Sequence, residues 1–138
     1  MDKNKSIAAL QAYATGLAAQ SLQHKIQSKV FAAQGYTKLA EKYAEHSVEE
    51  MGWVDQFVER ILDLGGTPLV QAGPEMPVCQ DPVEYIKSDL AISQREVPVL
   101  QNLTLSLQED FKTYDIFMGY ALDEEVDMFW SETKLELI

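Results

Sequence analysis

The apolar residues of this chain return every three or four positions through four windows of about 25 residues, far longer than a β-strand runs. The first stripe runs Ile7, Leu10, Ala14 and Leu17, then continues at the same spacing through Ser21, His24 and Ser28 to Phe31. A second takes Leu39, Tyr43, His46, Glu50, Trp53, Phe57, Ile61 and Leu64. Ile86, Leu90, Ser93, Val97, Leu100 and Leu107 form a third, and Phe117, Ala121, Glu124, Met128 and Leu135 a fourth. Helices of that length are about 35–40 Å long and can hide such stripes only against one another. The expectation is an all-α, antiparallel four-helix bundle forming one domain over residues 1–138.

Breaks in the pattern place the turns. Gln34-Gly35-Tyr36-Thr37 reads as a helix end at glycine followed by a threonine cap, so two helices fill residues 6–64. Four of the five prolines fall between Gly65 and Val83, marking a long loop that can cross the bundle between helices two and three. Asp81-Pro82-Val83-Glu84 then carries a capping side chain, a proline at the first helical position and a glutamate that can reach back. The third helix runs from there to about Gln108, with a kink expected at Pro98, and Gln108-Glu109-Asp110 separates it from the fourth.

Composition narrows the partners. Eleven Lys+Arg against 22 Asp+Glu give a net charge of −11, which argues against a phosphate backbone as partner. Cys79 is the single cysteine, so no internal disulfide and no Cys-based zinc site can form, and a cytoplasmic location is expected. No signal peptide and no membrane span are legible.

Polar groups interrupt the stripes near mid-helix: Ser21 and His24, His46 and Glu50, Ser93, then Glu124 with Asp127 three residues on. Buried carboxylates are costly unless paired or bound to a cation. Spacing alone leaves two readings, a structural layer in which the glutamates hydrogen-bond to neighbours or a metal site held between helices, and it favours the first.

Tyr43-Ala44-Glu45-His46-Ser47-Val48-Glu49-Glu50-Met51, followed by Asp55, Glu59-Arg60-Ile61-Leu62 and Gly66-Thr67-Pro68, resembles the second helix and exit loop of bacterioferritins and the smaller Dps-like mini-ferritins. Ser88-Asp89-Leu90-Ala91 is similar to the start of their third helix. Asp123-Glu124-Glu125, Trp130, Glu132-Thr133 and Leu135-Glu136-Leu137-Ile138 are similar to their fourth.

The resemblance implies iron. In bacterioferritins a di-iron oxidation centre draws one Glu from each of helices one and three and a Glu-x-x-His pair from each of helices two and four. Glu50 and Glu124 match the paired glutamates, but Trp53 and Asp127 stand where the two histidines belong. Ser93 replaces the third-helix Glu, and Leu17 or Gly16 the first-helix Glu. Indole offers a metal no lone pair. The resemblance therefore implies an iron-binding or iron-storage protein with an incomplete or lost oxidation centre, leaning away from an enzyme. One remodelled site for a single divalent ion remains, from Glu50, Glu124, Asp127, His46 and His24. Two other classes stay open: a metal-free structural or partner-binding bundle, and a divergent metal enzyme on the same scaffold.

Met51 matches the haem-ligating methionine of bacterioferritins, although methionine is also a common interface filler, and haem is not expected. Asp55 and Glu59 coincide with interface iron ligands of mini-ferritins without the histidines that complete them, so a solvated face is expected there. The sequence stops at Ile138, before any fifth helix, which implies a homo-oligomer of dimeric or dodecameric size in place of a 24-subunit shell.

Overall fold

The structure is a computed structural model and describes residues 1–137. Four helices make up those residues, with no strand among them: α1 (Lys3–Ala33), α2 (Thr37–Asp63), α3 (Pro82–Ser106) and α4 (Phe111–Leu137). The chain divides into two compact units, one of residues 2–80 with α1 and α2, the other of Met1 with α3 and α4. No helix of the described residues is long and apolar enough to cross a membrane.

In the first unit, α1 begins three residues ahead of Ser6 because the Asp2 carboxylate accepts the Lys5 N–H at 3.1 Å. Its other end closes with Gly35 at φ +87°, the Tyr36 N–H bonding the Phe31 carbonyl at 2.9 Å and the Gly35 N–H that of Ala32 at 3.1 Å. This is the paired bond pattern that a left-handed glycine permits, and the Tyr36 ring meets Phe31 edge-on at 6.5 Å, as the motif favours. Thr37 is not the cap expected of it: Tyr36 holds that position and offers no side-chain bond. The reversal is so tight that the residue closing α1 also opens α2. The same arrangement ends α2, with Gly65 at φ +80° and the Gly66 N–H on the Ile61 carbonyl at 2.9 Å.

The segment 65–80 then returns beside α1, held by a ladder of glutamine amides. Gln11 exchanges two bonds with the Leu69 backbone, at 2.8 and 3.1 Å, and Thr15 donates to the Gln71 side chain at 2.8 Å. Gln23 donates to the Pro77 carbonyl at 3.1 Å, Gln27 exchanges two bonds with Cys79 at 2.7 and 2.9 Å, and Gln34 donates to Gln80 at 2.6 Å. Both series ascend together, so the loop travels in the direction of α1. Extended chain covers roughly twice the length per residue that helix does, which is why so short a segment keeps pace. At Gly73 a Cβ would come within 2.6 Å of the Ala19 Cβ, so only glycine lets the loop lie this close. Leu10, Leu17, Phe31, Tyr43, Phe57 and Ile61 are the most deeply buried apolar side chains of this unit.

In the second unit, Asp81 caps α3 by accepting the Val83 and Glu84 N–H groups at 2.9 and 3.1 Å, with Pro82 at the first helical position as expected. The helix continues through the exposed Pro98 to Ser106, two residues short of the expected Gln108. Asp110 opens α4 by accepting from the Thr113 N–H at 3.3 Å and its hydroxyl at 2.5 Å. Ile86, Val97, Leu100, Ile116, Phe117 and Tyr120 are buried here.

Candidate metal centre

The polar band of the first unit is built on close contact between α1 and α2. Ser21 donates its hydroxyl to the Ser47 carbonyl at 2.7 Å, and Ser47 returns the bond to the Ser21 carbonyl at 2.8 Å. Ser28 does the same to the Ala40 carbonyl at 2.9 Å. Serine is small enough to let the two backbones approach and polar enough to bond across the gap.

One turn along from Ser21, this approach brings His24 onto Glu50. The His24 Nδ1–H donates to Glu50 Oε1 at 2.6 Å, and both side chains are buried, at 6% and 7% exposure. The His24 ring lies 5.3 Å from Tyr43 and 6.0 Å from His46, and Tyr43 lies 5.3 Å from His46. The structure thus gathers His24, His46 and Glu50 in one layer, closed by the buried phenol of Tyr43. A carboxylate bonded to an imidazole N–H is satisfied without a cation. Among the described residues, no buried side-chain nitrogen or oxygen lacks a hydrogen-bond partner.

Of the other residues singled out by sequence, Glu124 and Asp127 lie three apart on α4 and are half-buried, as is Ser93 on α3. Leu17 is 2% exposed, an aliphatic side chain sealed into the core, and Trp53 is half-buried on α2. Asp55 and Glu59 are exposed. Met51 is 42% exposed and lines a groove of about 390 Å³ between α1 and α2, with Leu22, Lys25, Lys29 and Val48.

Sequence reasoning passed over Gln23, Gln27 and Ser47, all buried and all bonded across elements. The available signal was the recurrence of glutamine at positions 11, 23 and 27 of one helix and at 34 just past its end, beside a proline-rich loop that needs backbone partners.

The family described as the ferritin-like domain matches residues 7–138. A bacterial ferritin of Neisseria meningitidis is 35% identical over 122 residues, covering 84% of this chain and 77% of that protein. One from Pseudomonas aeruginosa is 31% identical over 127 residues, covering 90% and 82%. The solved bacterioferritin of Rhodobacter capsulatus, described with a metal-free dinuclear site and a haem iron in a crystallographic special position, superposes with a TM-score of 0.90. It is 28% identical, and the match covers 97% of this chain and 85% of that one. The helical periodicity, the second-helix segment around Glu50 and the agreement of backbone and sequence along nearly the whole length lead to one conclusion: the chain belongs to the ferritin-like family and has its four-helix-bundle fold.

Proposed function

We propose that the chain is a single ferritin-like domain that binds or stores iron as a cytoplasmic homo-oligomer, without a working two-iron oxidation centre. The observation that carries this reading is the buried bond of 2.6 Å between His24 and Glu50. Glu50 is the one residue of α2 that the family resemblance keeps as an iron ligand, and its Oε1 is already engaged by a side chain of the same unit. The first-helix position adds weight whether Leu17 or Gly16 holds it, because neither the buried aliphatic side chain of Leu17 nor a glycine offers a metal a ligand atom. Trp53 and Ser93 offer no imidazole or carboxylate at their positions. These residues do not fit a pair of irons. Redox cycling with O₂ needs bridging carboxylates and imidazoles at both metals. His24, His46 and Glu50 belong to one unit and Glu124 and Asp127 to the other, and on this reading the chain takes at most one divalent ion.

Storage without that centre is physically reasonable, since a negatively charged surface concentrates cations and needs no redox pair to do so. The net charge of −11 supplies it. Assembly fits the grooved face of α1 and α2, where Leu22, Val48 and Met51 expose apolar surface. In this reading Met51 fills that interface. Haem titration should leave no protein-bound Soret band; one haem bound per two chains would assign Met51 as its ligand instead.

Ferrous iron added anaerobically to chelator-stripped protein should bind at no more than one per chain and oxidise slowly once O₂ is admitted. Rapid uptake of two irons per chain with matching O₂ consumption would overturn the proposal. The full satisfaction of buried polar groups without metal favours one rival, a metal-free partner-binding bundle. Metal analysis with size measurement decides between them: an iron-carrying shell supports storage, and a metal-free dimer supports the rival.

A further inference from the structure

We propose that His24 is an internal replacement for a metal cation at Glu50, so that α1 and α2 pack with a complete polar layer and His24 decides whether Glu50 can serve a metal at all. The inference rests on the reading above, that no pair of irons is assembled here, and goes beyond it by assigning the cause to one side chain.

A carboxylate inside a helix pair needs a partner that brings positive potential to it, and a divalent ion or a hydrogen-bonded imidazole can do so. Glu50 has the second. His24 reaches it from the facing helix through Nδ1 at 2.6 Å, at the short end of such bonds, with both groups shielded from water. The ring cannot easily swing away. Tyr43 and His46 flank it at centroid distances of 5.3 and 6.0 Å, and the reciprocal Ser21–Ser47 bonds fix the spacing of the helices one turn before it. His46 and Glu50 themselves lie four residues apart on α2, a spacing at which imidazole and carboxylate grasp one cation. That pair exists in the chain, and His24 is what stands against Glu50 in its place. A metal drawn to Glu50 Oε1 must compete with a bond that is already made, and an imidazole displaced from it stays among buried groups.

The test compares the full-length native chain with His24→Ala and His24→Gln, using Zn²⁺ alone as the probe and thermal unfolding and calorimetric titration as readouts. The native midpoint should not move with EDTA or with Zn²⁺. His24→Ala should unfold at a lower temperature, recover on adding Zn²⁺, and bind Zn²⁺ at least about tenfold more tightly than the native chain. His24→Gln keeps an N–H for Glu50, so it should hold most of the native stability and gain little Zn²⁺ affinity. A native midpoint that follows EDTA or Zn²⁺ as strongly as the alanine variant does would overturn the proposal. So would a folded His24→Ala that binds Zn²⁺ no better than the native chain. Should that variant not fold, a cycle with His24→Leu, Glu50→Leu and the double change replaces it: the double variant should be more stable than the sum of the single losses requires, and strict additivity would refute the pairing. Fast uptake of two irons per chain would refute the earlier reading whatever zinc does, whereas no gain in zinc affinity alongside one iron or fewer per chain refutes only the role of His24.

Discussion

Buried polar side chains in the α1–α2 unit find their partners 12 to 54 residues away, on a facing helix or on the returning loop. In α3 and α4, Thr104 bonds the Leu100 carbonyl and Asp110 holds Thr113, each a bond across only three or four residues. Both units leave their buried polar atoms satisfied, yet the consequences differ. A local bond caps or decorates a helix and would form in any packing. A distant bond exists only when two elements meet in one register, so its groups specify that register, and removing one leaves the other stranded. The polar layer around Glu50 lies in the unit of the second kind, and its bonds join α1 to α2.

The largest effect expected from breaking this contrast is at the buried pair. Glu50→Leu should lower unfolding free energy by about 3 kcal/mol, because it abandons His24 in the core; urea unfolding at neutral pH gives the value. Gln27 is fully buried and serves both backbone groups of half-buried Cys79, so Gln27→Leu should cost about 2 kcal/mol. Amide exchange at Cys79 should accelerate with it, while exchange in α3 stays unchanged. Local devices should cost less. Asp81→Ala removes two cap bonds at the start of α3 and should cost about 1 kcal/mol, seen as fraying of its first turn in amide exchange. Gly35→Ala should cost about the same from its φ of +87° alone, since a Cβ there meets no neighbour. At the small end, Thr104→Val should change urea stability by less than about 0.5 kcal/mol, because the Leu100 carbonyl is still served by the helix's own ladder. A loss there as large as that of Gln27→Leu would erase the distinction between the two units.

The helices were legible because each carries its own instructions. Periodicity ran through every stripe, and Gly35, Gly65 and the Asp81-Pro82 pair marked ends that backbone chemistry alone enforces. The second-helix segment Tyr43–Met51 disclosed the family. The misplaced cap at Thr37 marks the limit of local rules. Threonine favours caps, but the turn had no room for a separate one once Tyr36 was bonded to Phe31.

The sequence by itself determined four helices, a long proline-marked connection, an acidic surface and a membership, all of which follow from spacing and residue type. It also proposed His24 and His46 as companions of Glu50 without saying who would bond to whom. Only tertiary structure decided that, because a side chain's partner depends on the rotation and separation of α1 against α2, set by Ser21 and Ser47, and neither quantity is written along a single helix. The glutamine ladder is of the same kind. Gln11, Gln23 and Gln27 are ordinary helix residues, and Gln34 an ordinary helix end, until the chain returns beside them and asks for an amide.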